Sequence, residues 1–205
     1  MSAQRPSQTT NFLLTGVGGQ GILLAADVVA LVGLAQGLEV KKSEVHGMAQ
    51  RGGSVTSEVR WGAQVHSPLI PAGEVDYLIA LERLEALRYL SLLRPGGTVL
   101  VNDYCIMPVA VSAGNDLYPP AEQQAKALAG AAGRWFLVPA NTLAQELGNA
   151  RINNVILLGA LAALLDVPEA LWLEVIAQRV PQRFVALNQQ AFAAGRAFLA
   201  QRLMG

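Results

Sequence analysis

The stretch Leu13-Leu14-Thr15-Gly16-Val17-Gly18-Gly19-Gln20-Gly21-Ile22-Leu23-Leu24 constrains the fold more than any other part of the chain. A short apolar run meets a glycine turn, and an apolar helix pattern follows. Gly16, Gly18 and Gly21 fit G-x-G-x-x-G after a strand and at a helix start. Glycines there permit a tight turn and close approach of backbone to a ligand. The helix beyond aims its unpaired N–H groups, and the positive end of its dipole, at whatever occupies that point. Gly16, Gly18, Gly19, Gln20 and Gly21 are therefore candidate phosphate- or ligand-binding residues. The same geometry also serves as a plain strand–helix joint.

The rest of the chain reads as alternating strands and helices, then helices alone. Residues 1–10 are polar and read as a disordered lead. A strand is expected at 11–15 and a helix from Gln20 to about Gln36, apolar on nearly every face. Leu38–Lys42 reads as a second strand completing a right-handed β-α-β unit. Ser54–Trp61 alternates as a half-exposed strand, and Gly62-Ala63 suits a hairpin into Gln64–His66. Val75–Leu81 is a buried strand. Glu82–Leu93 has helical spacing and is stopped by Arg94-Pro95-Gly96-Gly97. A strand at Thr98–Val101 ends at Asn102-Asp103. Residues 104–120 are irregular, Ala121–Ala131 is helical, Trp135–Val138 is a short strand and Asn141–Leu147 a short helix. From Ile152 onward every segment is helical. The expected fold is α/β: a Rossmann-like, mostly parallel sheet with flanking helices and a helical C-terminal part, in a single domain over 11–205.

Charge and cysteine content narrow the function. Net charge is zero with no basic block, so nucleic acid and anionic membrane find little electrostatic attraction. The apolar run after the glycine turn holds Asp27 and is shorter than a spanning length of ~20 residues. The lead lacks an apolar signal core, and a cytoplasmic protein is expected. The 52% apolar and 15% charged composition is more apolar than a monomer needs, so a protein partner is expected to cover part of the surface. Cys105 is the only cysteine, which excludes an intrachain disulfide and an iron–sulfur site built from this chain alone.

The segment Ser43-Glu44-Val45-His46-Gly47-Met48-Ala49-Gln50-Arg51-Gly52-Gly53 shows neither helical nor strand period, which suits a functional loop. Arg51, between Gln50 and Gly52-Gly53, places a fixed cation where backbone can approach closely. That suits a carboxylate, a phosphate or a partner's carbonyl, or else an arginine tying the loop to its own sheet. Ser43 and His46 are candidates on the same loop, with no second His or Cys at metal-ligand spacing. Glu82 ends a buried strand where α/β ligand sites form, and equally suits a helix N-terminus. Asn102-Asp103 has the same two readings. Asn153-Asn154 reads as an N-cap. An NAD(P) site wants an acid ~20 residues past the glycines. Glu39 is near that distance, but Val40, Lys41 and Lys42 follow it. An S-adenosylmethionine reading matches only loosely. No Gly-x-Ser-x-Gly, His-Glu-x-x-His or Gly-x-x-x-x-Gly-Lys-Ser/Thr occurs, so no catalytic residue is assigned.

Taken in order, the segments resemble the gamma-type subunits of the 2-oxoacid:ferredoxin oxidoreductases. They are Gly16-Val17-Gly18-Gly19-Gln20-Gly21, Gln50-Arg51-Gly52-Gly53 with its strand, Glu82-Arg83-Leu84-Glu85-Ala86-Leu87 and Pro95-Gly96-Gly97. Asn154 with Leu158-Gly159, and Asn188 with Ala191-Phe192 and Gly195, complete the set. The form Glu44–Gly53 is most similar to the beta subunit of the indolepyruvate branch; a pyruvate or other 2-oxoacid enzyme is the alternative. The resemblance implies oxidative decarboxylation of a 2-oxoacid with coenzyme A to acyl-CoA and carbon dioxide, electrons passing to ferredoxin. It implies thiamine diphosphate, magnesium and [4Fe-4S] clusters. With one cysteine and no Gly-Asp-Gly segment, those groups are expected on a larger partner subunit and none on this chain. A stand-alone nucleotide-binding enzyme and a purely structural subunit are the competing readings.

Overall fold

The computed structural model describes residues 9–46 and 53–204; Gln50, Arg51 and Gly52 lie outside them. Six strands form one sheet: β1 (Thr10–Val17), β2 (Glu39–His46), β3 (Ser54–Gly62), β4 (Val75–Ala80), β5 (Leu93–Asn102) and β6 (Arg134–Val138), in the order β2-β3-β1-β4-β5-β6. Pairs β1–β4, β4–β5 and β5–β6 are parallel, while β3 runs antiparallel to both β1 and β2. The helices are α1 (Ile22–Ala35), α2 (Arg83–Arg88), α3 (Val109–Ser112), α4 (Ala121–Ala131), α5 (Ala140–Glu146), α6 (Asn153–Ala162), α7 (Glu169–Arg179) and α8 (Val185–Met204).

The strand period of two divides the core. Phe12 and Leu14 face one side with α1, α6, α7 and α8, whereas Leu13, Leu78 and Val99 face the other with α2 and α4. Three layers result, the first core being much the larger. In it α6 is buried along its whole length, from Asn153 to Ala162.

Four expectations are corrected. β2 extends through Ser43 to His46 and pairs with β3, so it is not the parallel neighbour of β1 and those two residues are strand, not loop. None of residues 39–43 is fully buried, and Glu44 and Val45 are exposed, so this edge strand carries no apolar alternation to betray it. Residues 64–66 form no strand; Val65 instead tucks inward and donates its N–H to Glu39 Oε2 at 3.0 Å. The helix expected over 82–93 stops at Arg88. A tight turn at Leu90–Leu92 leads straight into β5, whose irregular start includes Arg94–Gly97. Finally, Gln20 is not helical, because Gly21 takes φ +80° and α1 begins after it.

Asp27 on α1 pairs with Lys42 of β2 and Arg179 of α7, tying three elements together. Burial opposes its charge, but the bonds to Lys42 and Arg179 outweigh that and hold its carboxyl below the usual value. A carboxyl whose folded pKa lies below the unfolded one contributes stability above the unfolded pKa, which is lost as pH falls through the folded value. Asp27→Asn should therefore lower stability by up to ~1 kcal/mol at pH 7, since all three side chains are partly exposed. In urea titrations the gap to wild type should close below about pH 4; a gap constant to pH 2 would contradict this pairing.

Candidate functional site

β1, β4 and β5 end on one edge of the sheet, and the reversed strand β3 begins there, with Ser54 opposite Val17. Topology thus gathers the glycine turn, Gly53, Glu82 and Asn102 at that edge. His46, the last residue of β2, lies opposite Val55 at the same edge. Glu39 opens β2 at the far edge, opposite Gly62, where it pairs with Lys41. The acid that a ribose would need is therefore at the wrong end of the sheet.

The glycine turn is held by its own side chains. Gln20 Oε1 accepts from Val17 N at 2.7 Å, and Gln20 Nε2 donates to Leu81 O at 2.9 Å. Gly16 leaves the room this amide occupies, since a Cβ there would lie 2.8 Å from Gln20 Oε1. Gly18 N donates to Gly53 O at 2.9 Å, which joins the turn to the end of the 43–53 segment. Gly21 O accepts from Asn154 Nδ2 at 3.1 Å. A Cβ on Gly21 would lie 2.5 Å from that same nitrogen. Gly19 takes φ +102° and faces open space. Gln20→Ala leaves Val17 N without its acceptor and is expected to cost about 2 kcal/mol in urea denaturation. An unchanged midpoint would mean the amide does not hold the turn.

Asn153 and Asn154 are not the N-cap; they form the first turn of α6 behind Ile152. Their amide nitrogens donate to neighbouring elements, while Asn154 Oδ1 accepts from Val155 N at 2.9 Å. Asn153 Nδ2 donates to Asn141 Oδ1 at 2.7 Å, which also accepts from Asn102 Nδ2 at 2.8 Å. Asn102, fully buried, donates to Leu81 O as well. An amide network therefore links the glycine turn, the ends of β4 and β5, and the starts of α5 and α6. Beside it a cavity of about 240 Å³ opens between Leu24, Arg151, Asn154 and Asn188.

Glu82 is only 1% exposed, and its acceptors are all engaged within the chain. Oε2 caps α2 by accepting from Glu85 N at 2.9 Å, while Oε1 accepts from Ile106 N at 3.1 Å and from the Tyr118 hydroxyl. It anchors the irregular segment to the sheet edge. Burial and the bonds to Glu82 and Cys105 push the Tyr118 hydroxyl far above its usual pKa. Asp103 pairs with Arg83.

A second carboxylate appears in the sequence only inside the Glu82–Leu87 motif, with no role of its own. Glu85, buried on α2, accepts from the Thr15 and Ser54 hydroxyls and pairs with Arg88 Nε at 3.1 Å; Ser54 also meets the Tyr89 hydroxyl at 3.0 Å. This cluster sits directly beneath the point where the chain leaves Gly53 for β3. Its one sequence signal is a glutamate three residues after a capping glutamate, on the face of a short helix that must pack on the sheet.

Among the described residues, no group of three His, Cys, Asp or Glu side chains is placed to hold a metal ion. No helix among them is long and apolar enough to cross a membrane. The site as built is a polar, self-bonded edge that organises two loops.

Known proteins are similar to this chain in sequence and fold. Residues 11–198 match the pyruvate ferredoxin/flavodoxin oxidoreductase family. The chain is 40% identical over 188 residues to indolepyruvate oxidoreductase subunit IorB of Thermococcus kodakarensis, covering 90% of this chain and 93% of that one. Its fold is similar to the gamma subunit of a keto/oxoacid ferredoxin oxidoreductase from Geobacter sulfurreducens, with TM-score 0.69, 26% identity and coverage of 94% and 99%. It also resembles 32% of a longer chain, a 2-oxoglutarate:ferredoxin oxidoreductase from Magnetococcus marinus, with TM-score 0.73, 23% identity and 96% of this chain covered. The match runs from β1 through α8, taking in the glycine turn, both loops and the α6–α8 pair. With that extent of agreement, the chain belongs to the pyruvate ferredoxin/flavodoxin oxidoreductase family.

Proposed function

We propose that this chain is the small subunit of a cytoplasmic 2-oxoacid:ferredoxin oxidoreductase acting on indolepyruvate or another aryl pyruvate. The observation that carries the reading is 40% identity across nearly the whole length of an indolepyruvate oxidoreductase subunit. The reaction converts the 2-oxoacid and coenzyme A to acyl-CoA and carbon dioxide, and electrons leave to ferredoxin. Thiamine diphosphate, magnesium and [4Fe-4S] clusters belong to a larger partner subunit. One cysteine cannot supply the four thiolates that such a cluster requires.

This chain's share is assembly. Exposed apolar side chains on the segment after β5, among them Met107, Val109 and Leu117, support coverage by a protein surface. The bond from Gly18 N to Gly53 O supports the glycine turn as the framework that aims the 43–53 segment. Arg51 and Gln50 on that segment hold a partner's backbone or a phosphate. The self-bonded turn, with Gln20 filling the space beside Gly16, favours this over a stand-alone nucleotide enzyme.

Co-expression with the larger subunit tests the reading. A stable complex should form and reduce ferredoxin with indolepyruvate and coenzyme A, faster than with pyruvate or 2-oxoglutarate. Arg51→Ala should weaken assembly or turnover. Full activity of the larger subunit without this chain, or turnover by this chain alone, would reject it.

A further inference from the structure

A crevice of about 210 Å³ lies under α4, against the face of the sheet opposite α1. Its walls are Val101 and Leu137 from the strands, Ala125 and Leu128 from α4, and the Trp135 ring. Two polar side chains line it: Gln124, whose Nε2 donates to Pro119 O at 2.6 Å, and Arg83, whose Nε–H is buried and has no hydrogen-bond partner among the described residues. A buried donor left unpaired is costly and uncommon in native proteins. An apolar cavity of ~150 Å³ takes up benzene, so this one has room for one aromatic ring and a small substituent.

The charges around Arg83 decide the substituent. Its Nη2 is already paired with Asp103, and the neighbouring residue Glu82 is a second, buried carboxylate. An incoming anion would meet a guanidinium whose charge Asp103 already balances. A neutral carbonyl oxygen can accept from the unpaired N–H and brings no charge to the pair. The ring has a stacking surface in Trp135, itself half-exposed at the mouth, where Ala121 is also exposed.

We propose that this crevice is a binding site for a small, neutral aryl compound bearing a carbonyl oxygen, which accepts from Arg83 Nε. The site is independent of the assembly reading, because it is formed within this chain.

Fluorine NMR of 4-fluoroacetophenone titrated with the full chain tests it. Saturable broadening is expected, with 4-fluorobenzoate bound roughly tenfold more weakly or worse. Arg83→Lys keeps the charge beside Asp103 but removes the Nε–H, and should weaken the ketone roughly tenfold. Ala125→Leu fills the crevice and should abolish binding. Melting curves of both variants establish that they are folded; should Arg83→Lys not fold, the ketone-to-benzoate ratio on wild type and the Ala125→Leu result still decide. No saturable binding to wild type, a preference for benzoate, or undiminished binding by Ala125→Leu would overturn the proposal.

Discussion

Gly195→Ala is expected to destabilise the chain by about 3 kcal/mol or more, because it forces apart two helices in contact. A Cβ at Gly195 would lie 1.8 Å from Ile156 O, and one at Gly159 would lie 2.0 Å from Phe192 O. The glycines face each other's helix across the α6–α8 crossing, so each opens the space the other helix's backbone occupies. Alanine is the better helix former by ~1 kcal/mol. That gain is outweighed, since the obstacle is backbone rather than a side chain that can turn away. For a domain of this size the melting temperature should fall by about 6–12 °C, and Gly159→Ala should do the same. Circular dichroism melts decide it; a Tm within ~2 °C of wild type for both variants would show that the helices do not approach this closely. Because α6 is buried throughout and carries Asn153 and Asn154, the same change should loosen the glycine turn.

Glu82→Ala should cost about 3–4 kcal/mol, through loss of a helix cap and of acceptors for two further part-buried donors. Glu85 N, Ile106 N and the Tyr118 hydroxyl all lose their partner. The effect has a local signature that a general loss of stability lacks. Residues 104–118 should become a preferred site of proteolysis while the sheet remains intact. The Tyr118 hydroxyl, held high by burial and by its bonds to Glu82 and Cys105, should titrate lower, toward ~10, as followed by ultraviolet absorbance. Glu82→Gln, which keeps an acceptor oxygen, should fall between. If 104–118 stays resistant in Glu82→Ala, the carboxylate does not anchor it. Met107, Val109 and Leu117 ride on this segment, so in the proposed complex the alanine variant should also assemble poorly.

The legible parts of the fold were those with a local cause. α4 was expected over Ala121–Ala131 and occupies those residues, because Pro119-Pro120 starts it and its composition favours helix. The buried strands β1, β4 and β5 were apparent as apolar runs bounded by turn residues. Beyond Lys42 the sequence of β2 carries no strand signal, since an edge strand of mixed charge acquires its conformation from the ladder it joins. Glu85 has no local sign of its importance, which comes from Thr15 and Ser54, 70 and 31 residues away in sequence. Asn154 suggests a local, capping role in the sequence, whereas its partner is Gly21, 133 residues earlier.

By itself the sequence determined the strand–turn–helix at Gly16–Gly21, the α/β class, the helical C-terminal part and the family resemblance. Each rests on residue type and short-range spacing, which fix backbone preference and hydrophobic period. Only the tertiary structure decided that β3 is reversed and stands between β1 and β2, which puts Glu39 at the far edge and Gly53 beside Gly18. It alone showed that Gln20 fills the space Gly16 leaves, and that Gly159 and Gly195 exist for each other. Those facts depend on which surfaces meet, and the pairing of distant segments is set by burying the whole core at once rather than by any stretch of chain.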